Sequence, residues 1–337
     1  MKGKGKFLVF LFIVMMSLAL VGPVNAADKV IEWKMAGVYG PGDGGYLPER
    51  AAKEITEQSG GRLKVTTYPG GQLFKTKEIF GAIQKGLIQM CDIPSGYWGG
   101  GIPLYKLPDT PFLLKDNTEW RAWLEGGLWP LWQKASENVG IKCIGMTGWN
   151  GTTAFSRYPI KNLADVKGKK WRVYTPTMQK ACIALGASPV FIAFPEVYSA
   201  LQKGVIDAAY GGVTWAAAYK WEEVGRHVVK VDFGLPPTGL FVNKKAFDAL
   251  PPDLQEIVVK AGKKYMDSWD IVEGFTAKKW KQFKDEGCDV YILPDAERNK
   301  WMDLCKNIWT EQAKEIGPVG EEALEIYYKV FPDRRPK

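Results

Sequence analysis

The sequence predicts an α/β protein with two lobes, each built on a mainly parallel sheet flanked by helices. Residues 30–93 follow the order strand, helix, strand, helix, strand, and residues 168–209 repeat that order. This order implies parallel strands joined by right-handed crossovers. A chain of 337 residues also suits two domains better than one core.

The first unit begins with a strand over residues 30–36, because apolar Ile31, Trp33 and Met35 alternate with charged residues. Glycines follow both of its predicted helices, where they are typical of a helix end. The other predicted elements are a helix through Leu47–Ile55, a strand at Leu63–Thr67, a helix through Ile79–Ile83 and a strand at Leu87–Ile93.

The second unit has the same elements at shorter spacing. We predict strands at Trp171–Tyr174, Pro189–Ala193 and Val205–Ala209, and helices at Pro176–Leu185 and Pro195–Lys203. Further along, apolar spacing predicts one long helix over about residues 252–280, which we expect to span the lobes. Other predicted elements are strands at Ile141–Met146, Leu240–Asn243 and Val290–Leu293, and helices near Thr118–Leu124, at Ala246–Ala249 and at Ala296–Ile316.

The two units share sequence as well as order. Residues 78–88, EIFGAIQKGLI, match residues 196–206, EVYSALQKGVI, with Glu, Ala, Gln, Lys, Gly and the last Ile identical. Each segment predicts a helix that ends at a glycine, followed by a buried strand, and it lies at the same point of its unit. Two similar lobes indicate a cleft between them, and such clefts are favoured ligand sites.

Residues 1–26 are predicted to be a secretory signal peptide. Lys2, Lys4 and Lys6 form a basic start, residues 7–21 are apolar, and Val24-Asn25-Ala26 fits a small-residue cleavage site. The apolar run is short for a membrane span of about 20 residues. We therefore expect cleavage after Ala26 and export of the mature chain.

The charge and residue counts argue against nucleic-acid binding and against a zinc site. Removal of residues 1–26, which carry three lysines and no acids, reduces the net charge from +8 to +5, and no basic tract is present. The chain has five cysteines without C-x-x-C spacing and a single histidine, His227. Cys91, Cys143 and Cys182 fall in apolar patterns, which indicates buried thiols. We expect no metal and no cofactor.

Residues 40–45, GPGDGG, have the G-x-G-x-x-G spacing of dinucleotide-binding loops. We interpret them as a flexible loop, because the next strand ends in Thr66-Thr67-Tyr68 without an acid for a ribose. The sequence contains no nucleophile elbow, phosphate loop or zinc-protease motif, so we expect a protein that is not an enzyme. The alternative is an exported α/β enzyme acting on a carboxylate, which would need a cleft acid or base with a shifted pKa.

Arg172 lies inside an apolar predicted strand, and a buried cation needs a partner. The pattern fits a strand-end arginine in a surface salt bridge. It equally fits an arginine whose planar fork binds a ligand carboxylate through two parallel hydrogen bonds. Open α/β sheets bind ligands beyond the carboxyl ends of their strands, where Arg172 lies. Aromatic residues that we expect around such a ligand are Trp149, Tyr174, Tyr210 and Trp215.

Three segments of the second unit together resemble the signature of TRAP-type (tripartite ATP-independent periplasmic) transporter solute-binding proteins, the DctP family. They are KWRV at 170–173, LGASP at 185–189 and FPEVYSALQKGVID at 194–207. PIKNLADVKG at 159–168 and VNKKAF at 242–247 are similar to the same family. The resemblance covers nearly the whole chain after residue 26.

The resemblance implies a two-lobed periplasmic binding protein fold, with residues 27–150 and about 240–285 as lobe I and residues 151–239 and about 286–337 as lobe II. It implies a periplasmic protein whose lobes close on an organic acid and which delivers that acid to membrane permease subunits. The family's conserved arginine corresponds to Arg172, which would pair with the ligand carboxylate. The full set of expected ligand-binding residues is Arg172, Trp149, Asn150, Tyr174, Tyr210, Gly211 and Trp215.

The sequence departs from the family pattern at two points. Ala-Ala-Tyr210-Gly211-Gly212 follows Asp207, where a Glu-Asn-Pro or Glu-Trp segment is usual, and Trp149-Asn150 stands in place of an Arg-x-x-Thr-Asn pattern. This more aromatic, less charged wall predicts a monocarboxylate ligand, such as a keto, hydroxy or aromatic acid. The alternatives are a dicarboxylate or sugar-acid ligand, and a role as the ligand-capture partner of a two-component sensor.

Overall fold

The computed structural model describes residues 30–40, 45–148 and 151–336. Within these ranges the chain forms two β-sheets, here called sheet A and sheet B, with helices packed against both. The predicted signal peptide and residues 41–44 of the glycine-rich loop lie outside the described residues. No helix in the described ranges has the length and apolar character needed to cross a bilayer.

The strands and helices follow the predicted order for most of the chain. The strands are β1 Ile31–Gly37, β2 Leu63–Tyr68, β3 Met90–Pro94, β4 Ile141–Gly148, β5 Thr153–Ser156, β6 Lys170–Val173, β7 Ser188–Phe191, β8 Ala208–Gly211, β9 His227–Lys230, β10 Pro237–Asn243 and β11 Asp289–Ile292. The α-helices are α1 Tyr46–Gln58, α2 Thr76–Gln84, α3 Asn117–Trp123, α4 Trp129–Glu137, α5 Pro176–Ala184, α6 Val197–Gln202, α7 Val213–Ala218, α8 Trp221–Val224, α9 Lys244–Asp248, α10 Pro252–Met266, α11 Trp269–Asp285, α12 Asp295–Ile316 and α13 Pro318–Val330.

Sheet A has the strand order β2-β1-β3-β10-β4. β1 is parallel to both β2 and β3, as the first unit predicts. β10 comes from much later in the chain, yet it lies between β3 and β4 and is antiparallel to both. The chain therefore returns to sheet A after it has built most of sheet B.

Sheet B has the strand order β11-β9-β5-β8-β6-β7. β6 is parallel to β7 and β8, so the first strand of each unit lies between the second and the third strands of that unit. β5 is antiparallel to its neighbours β8 and β9. The same arrangement in both sheets confirms that the two sequence units fold alike, and it confirms the α/β class.

The segment predicted as one long helix forms two helices, α10 and α11, with a break at Asp267 and Ser268. The Ser268 hydroxyl donates a hydrogen bond to the Lys264 carbonyl, and serine side chains that bind nearby backbone compete with helix continuation. α11 still spans the lobes, because Val272 near its start packs in the core beside sheet A and Phe283 near its end packs in the core beside sheet B.

A third core continues from one lobe to the other. It contains Cys91 and Cys143 from sheet A together with Trp171 from sheet B, and helix α12 adds Trp301. This shared core joins the two lobes.

All five cysteines are buried and free, which confirms the prediction of buried thiols for Cys91, Cys143 and Cys182. Burial raises the pKa of Cys182 to about 12 and that of Cys91 well above its ordinary value. In the described ranges no group of three or more His, Cys, Asp or Glu residues is placed to hold a metal ion.

We expect Gly145→Ala to destabilise the fold by about 1–3 kcal/mol, the usual cost of overpacking a core. Strand β4 and helix α10 touch through glycines, and a Cβ at Gly145 would collide with the Gly262 carbonyl oxygen. Chemical denaturation measures the change. Gly274→Ala is the control, because Gly274 is a glycine of helix α11 with nothing within 4 Å of an added Cβ. That change should stabilise by up to about 1 kcal/mol, and an equal loss in both variants would contradict the packing account.

Candidate functional site

Arg172 lies on β6, the central strand of the second unit, with Val190 of β7 and Ala209 of β8 as its register neighbours. Its side chain extends toward the carboxyl ends of these strands. Nε donates a hydrogen bond to the Ile192 carbonyl over 3.0 Å, and Nη1 donates to the Tyr210 carbonyl over 3.2 Å. The backbone of β8 and of the residue just after β7 therefore fixes the guanidinium beyond the carboxyl ends of these strands, where open α/β sheets commonly bind ligands.

The Arg172 side chain is charged, buried and without a carboxylate partner. Only 3% of the residue is exposed, and none of the described carboxylates forms an ion pair with it. No described residue accepts a hydrogen bond from Nη2. Burial lowers the pKa of Arg172 to about 10, so the side chain stays protonated at neutral pH. The surface salt-bridge interpretation is therefore wrong, and the geometry suits an anion that supplies the missing oxygens.

Aromatic rings frame the guanidinium. Its Cζ atom lies 4.4 Å from the ring centre of Tyr174, 5.6 Å from that of Phe194 and 5.9 Å from that of Trp221. Phe194 and Trp221 also pack on each other, with ring centres 4.6 Å apart. Rings at these distances stabilise a cation by attraction to their faces without neutralising its charge. Arg172 therefore remains available to a ligand anion.

Tyr210 and Gly211 contribute to this site through the backbone and not through their side chains. The Tyr210 ring does not reach the guanidinium, because it stacks on Phe233 at 4.0 Å and meets Trp171 edge-on at 4.5 Å in the core. Tyr210 contributes its carbonyl instead. A Cβ at Gly211 would collide with the Trp221 ring, so glycine there lets Trp221 approach.

Tyr97 and Asp109 approach Arg172 from the sheet A side. Tyr97 follows β3 and is 61% exposed, and Asp109 is half-buried next to Gly96. The charge of Arg172 acts on both residues. Burial raises the pKa of Asp109 to about 7, although the neighbouring Tyr174 hydroxyl and the charge of Arg172 oppose that rise. The side opposite Arg172 is thus polar and, near neutral pH, only partly anionic.

A second contact between the lobes involves Tyr39 and Trp215. Tyr39 follows β1 of sheet A and Trp215 lies on helix α7, which follows β8 of sheet B. Their rings stack with centres 4.7 Å apart and planes inclined by 22°. The Tyr39 hydroxyl also forms a hydrogen bond of 3.1 Å with Thr238. The predicted residue Trp215 therefore lies where the lobes meet.

Asp92 is a second buried carboxyl group that sheet A contributes beside Tyr39. It lies on β3, is 1% exposed, and accepts a hydrogen bond of 2.6 Å from the Tyr265 hydroxyl. Its other oxygen has no hydrogen-bond partner among the described residues. Burial raises the pKa of Asp92 to about 7, and the Tyr265 bond only partly offsets that effect.

The structure brings Arg172 together with Tyr174, the Tyr210 carbonyl and Gly211, while Trp149 and Asn150 lie outside the described residues. Sequence reasoning did not single out several residues of this region. Phe194 lies within the signature segment, and Tyr97 and Asp109 lie within the aromatic-rich residues 94–130, whose composition is only a weak signal for a binding surface. The residues not predicted are Tyr39, Asp92, Tyr97, Asp109, Phe194 and Trp221.

The sequence of the chain matches a known protein family over most of its length. Residues 44–315 match the model of the bacterial extracellular solute-binding protein family 7, DctP. The chain belongs to this family. The DctP family comprises the solute-binding proteins of TRAP transporters, so the predicted family and the two-lobed binding-protein fold are confirmed.

Relatives of this DctP protein cover nearly its whole length. The C4-dicarboxylate-binding periplasmic protein of Rhodobacter capsulatus is 30% identical over 315 residues, 90% of this chain and 92% of that protein. A solute receptor of Bordetella pertussis that binds pyroglutamic acid is 25% identical, with a TM-score of 0.80 over 88% of this chain and 99% of its own. A TRAP periplasmic solute-binding protein from Ochrobactrum anthropi has a TM-score of 0.84 at 22% identity, covering 90% and 97%.

Proposed function

We propose that this protein captures a small organic acid in the periplasm and delivers it to TRAP membrane permease subunits. The observation that carries the proposal is Arg172, a buried guanidinium without a carboxylate partner in the described structure. A ligand carboxylate would complete its hydrogen bonding with a charge-assisted pair, which is about twice as strong as a neutral hydrogen bond. Relatives that bind a C4-dicarboxylate and pyroglutamic acid support an acid as the ligand class.

We further propose that the ligand carries a single carboxylate. Among the described residues the groups around Arg172 are aromatic rings, tyrosine hydroxyls and the carboxyl of Asp109, and no second cation joins them. A second ligand carboxylate would approach Asp109 without a compensating charge, and like charges disfavour each other. Hydroxyl or keto groups suit Tyr97 and Tyr174, and a ring would suit the aromatic frame. A keto, hydroxy or aromatic monocarboxylic acid therefore fits best.

Lobe closure would enclose the ligand. We propose that residues 27–150 with about 240–285 move as lobe I, and that residues 151–239 with about 286–337 move as lobe II. The division follows the strands, because those of sheet A fall in the first set of ranges and those of sheet B in the second. Helix α11 would cross the boundary, because its two ends pack in different cores. The Tyr39–Trp215 stack would hold the closed state.

Export through a cleaved signal peptide would place the protein where a TRAP permease meets its solute. The basic start of residues 1–26, the apolar run and the small-residue site support this proposal. Intact mass of protein from a periplasmic extract should fit a chain that begins at Ala27. A mass that retains residues 1–26 would contradict cleavage.

The alternative of a carboxylate-processing enzyme rests on two carboxyl groups. Asp92 and Asp109 both have a pKa raised to about 7, a value suited to a general acid or base. Burial is the main cause in both cases, so the shifts also arise without catalysis. We propose that neither group acts on the ligand, and that the protein is not an enzyme.

Native mass spectrometry of freshly purified mature protein tests the proposed function. We expect an adduct of small-acid mass that is released on denaturation, with one carboxyl group in the released molecule. Re-addition of that acid should restore the adduct, and prolonged incubation should return the acid unchanged. A neutral co-purified ligand would contradict acid binding, and a chemically altered acid would support the enzyme.

A further inference from the structure

The chain passes between the two sheets through two neighbouring connections. One leads from β4 of sheet A to β5 of sheet B, and the other, residues 231–236, leads from β9 back to β10 and is here called the return connection. The Thr152 N–H donates to the Gly234 carbonyl over 2.8 Å, and the Phe233 N–H donates to the Thr152 carbonyl over 3.4 Å. Movement of one lobe against the other therefore requires backbone rotation in these connections.

Two residues at the return connection have left-handed backbone although neither is a glycine. Asp232 has φ 50°, and Phe112, which packs beside the connection, has φ 60°. The Phe112 N–H donates a hydrogen bond of 2.6 Å to the Phe233 carbonyl, and the two rings meet edge to face with centres 4.9 Å apart. Residues other than glycine adopt this conformation at a cost, and they keep it only where surrounding contacts impose it.

Arg298 supplies such a contact to Asp232. It lies near the start of helix α12, is 3% exposed, and donates two hydrogen bonds to the Asp232 carbonyl, from Nε over 3.3 Å and from Nη2 over 3.0 Å. The Arg298 Cζ atom also lies 5.5 Å from the ring centre of Phe112. One buried side chain therefore contacts both left-handed residues.

The backbone of Asp232, and not its carboxylate, is the group that Arg298 binds. The Asp232 carboxylate contacts Lys230, with the charged atoms 3.6 Å apart. Burial lowers the pKa of Arg298, although the charges of Asp232 and Glu119 oppose that effect. Hydrogen bonds from a charged donor are about twice as strong as neutral ones. The two bonds to the carbonyl therefore fix the backbone of Asp232.

The return connection also packs against the strand that orients Arg172. The Phe233 ring stacks on the Tyr210 ring with centres 4.0 Å apart. The Tyr210 carbonyl, on β8, accepts the hydrogen bond of 3.2 Å from Arg172. The position of the return connection is therefore tied to the candidate ligand site.

We propose that Arg298 is a positioning residue for lobe movement. It holds the return connection through the Asp232 carbonyl, and the connection then serves as a fixed pivot about which the lobes turn. This role rests on the lobe closure proposed above, and it does not depend on which acid the protein binds. Without Arg298, Asp232 relaxes from its left-handed conformation and the lobes sample a wider range of relative orientations.

Hydrogen–deuterium exchange of the ligand-free mature protein tests the contact. Arg298→Met keeps an unbranched side chain and removes both donors, so the protection of the Phe112 amide and of residues 231–236 should fall about tenfold or more. Arg226→Met is the matched control, because Arg226 is a surface arginine that also donates to a backbone carbonyl, over 2.7 Å. It should leave this protection unchanged. Asp232→Asn keeps the carbonyl and should also leave it unchanged.

Distances between spin labels on the two lobes, measured by electron paramagnetic resonance, test the pivot. Lys53→Cys on α1 and Lys203→Cys after α6 carry the labels, since both positions are exposed and the native cysteines are buried. Arg298→Met should broaden the distance distribution of ligand-free protein. Arg298→Lys keeps the charge without the planar fork and should broaden it less. Circular dichroism verifies folding, and Arg298→Lys serves alone in both experiments if Arg298→Met is not folded.

Unchanged protection of the return connection in a folded Arg298 variant would overturn the proposal, and so would an unchanged distance distribution. Protection lost equally throughout both sheets would show a general loss of stability and would overturn it as well. An equal loss in Asp232→Asn would assign the effect to the carboxylate, against the proposal. Absence of acid binding alongside the expected results would contradict only the proposed function.

Discussion

Arg172→Ala is expected to weaken binding of the cognate acid by about 2–5 kcal/mol, or about 30-fold to 5,000-fold. The variant removes a charge-assisted pair formed in a buried frame of Tyr174, Phe194 and Trp221. Isothermal titration of the acid identified by mass spectrometry measures the loss. Part of it reflects the ligand charge left without a partner, so the number is a cost of truncation.

Two further variants define the role of the arginine. Arg172→Lys keeps the charge but not the planar fork, so it should recover only part of the lost affinity. Arg157→Ala is the matched control, because Arg157 is a half-exposed arginine of the same lobe whose long contact with Asp207 is a surface ion pair. It should bind as the wild type does. Full affinity in Arg172→Ala would refute the proposal that Arg172 binds the ligand carboxylate.

Asp92→Asn should stabilise the fold more at pH 8 than at pH 4. We expect its effect on the free energy of unfolding to differ between the two pH values by on the order of a few kcal/mol. Burial raises the pKa of Asp92 from 3.8 to about 7, so the folded protein holds a proton that the unfolded chain has lost. Wild-type stability therefore falls as the pH rises through this window, and the cost is complete above it. Asparagine does not ionise and retains an oxygen that can accept the Tyr265 hydroxyl hydrogen bond.

Neighbouring groups do not obscure this pH dependence. Tyr39, Cys91 and Tyr265 lie around Asp92, and burial raises the pKa of each well above its ordinary value. They stay neutral throughout the window. Denaturant unfolding at pH 4, 6 and 8 measures the effect, with Asp303→Asn, 61% exposed at its side chain, as the control. Equal pH profiles for wild type and Asp92→Asn would show that Asp92 does not titrate as described.

The sequence pattern predicts the features that depend on neighbouring residues, such as the order of helices and strands in each unit. The repeated unit of helix, glycine stop and strand gives the same strand arrangement in both sheets, as residues 78–88 and 196–206 predict. The strands β5 and β9 have four residues each, too few for a readable alternation. The position of β10 between β3 and β4 depends on pairing across the chain, and no local pattern encodes it.

In the candidate site, too, local pattern predicts some residues and long-range pairing determines the others. Arg172 was predictable because a cation inside an apolar strand needs an explanation, and burial confirms that it is unusual. The direction of the Tyr210 ring was not predictable, since it depends on the pairing of Arg172 with Ala209. Successive side chains on a strand point to opposite faces, so Tyr210 lies opposite to Arg172. Phe194 and Trp221 meet Arg172 only after the sheet is assembled.

The most direct test of the central claim compares the affinity of the co-purified acid with that of its amide, in wild-type protein and in Arg172→Ala. If Arg172 pairs with the carboxylate, wild-type protein should prefer the acid by at least about 30-fold. Arg172→Ala should bind the two molecules within a few-fold of each other. An undiminished preference for the acid in Arg172→Ala would show that another group holds the carboxylate, and would contradict the account.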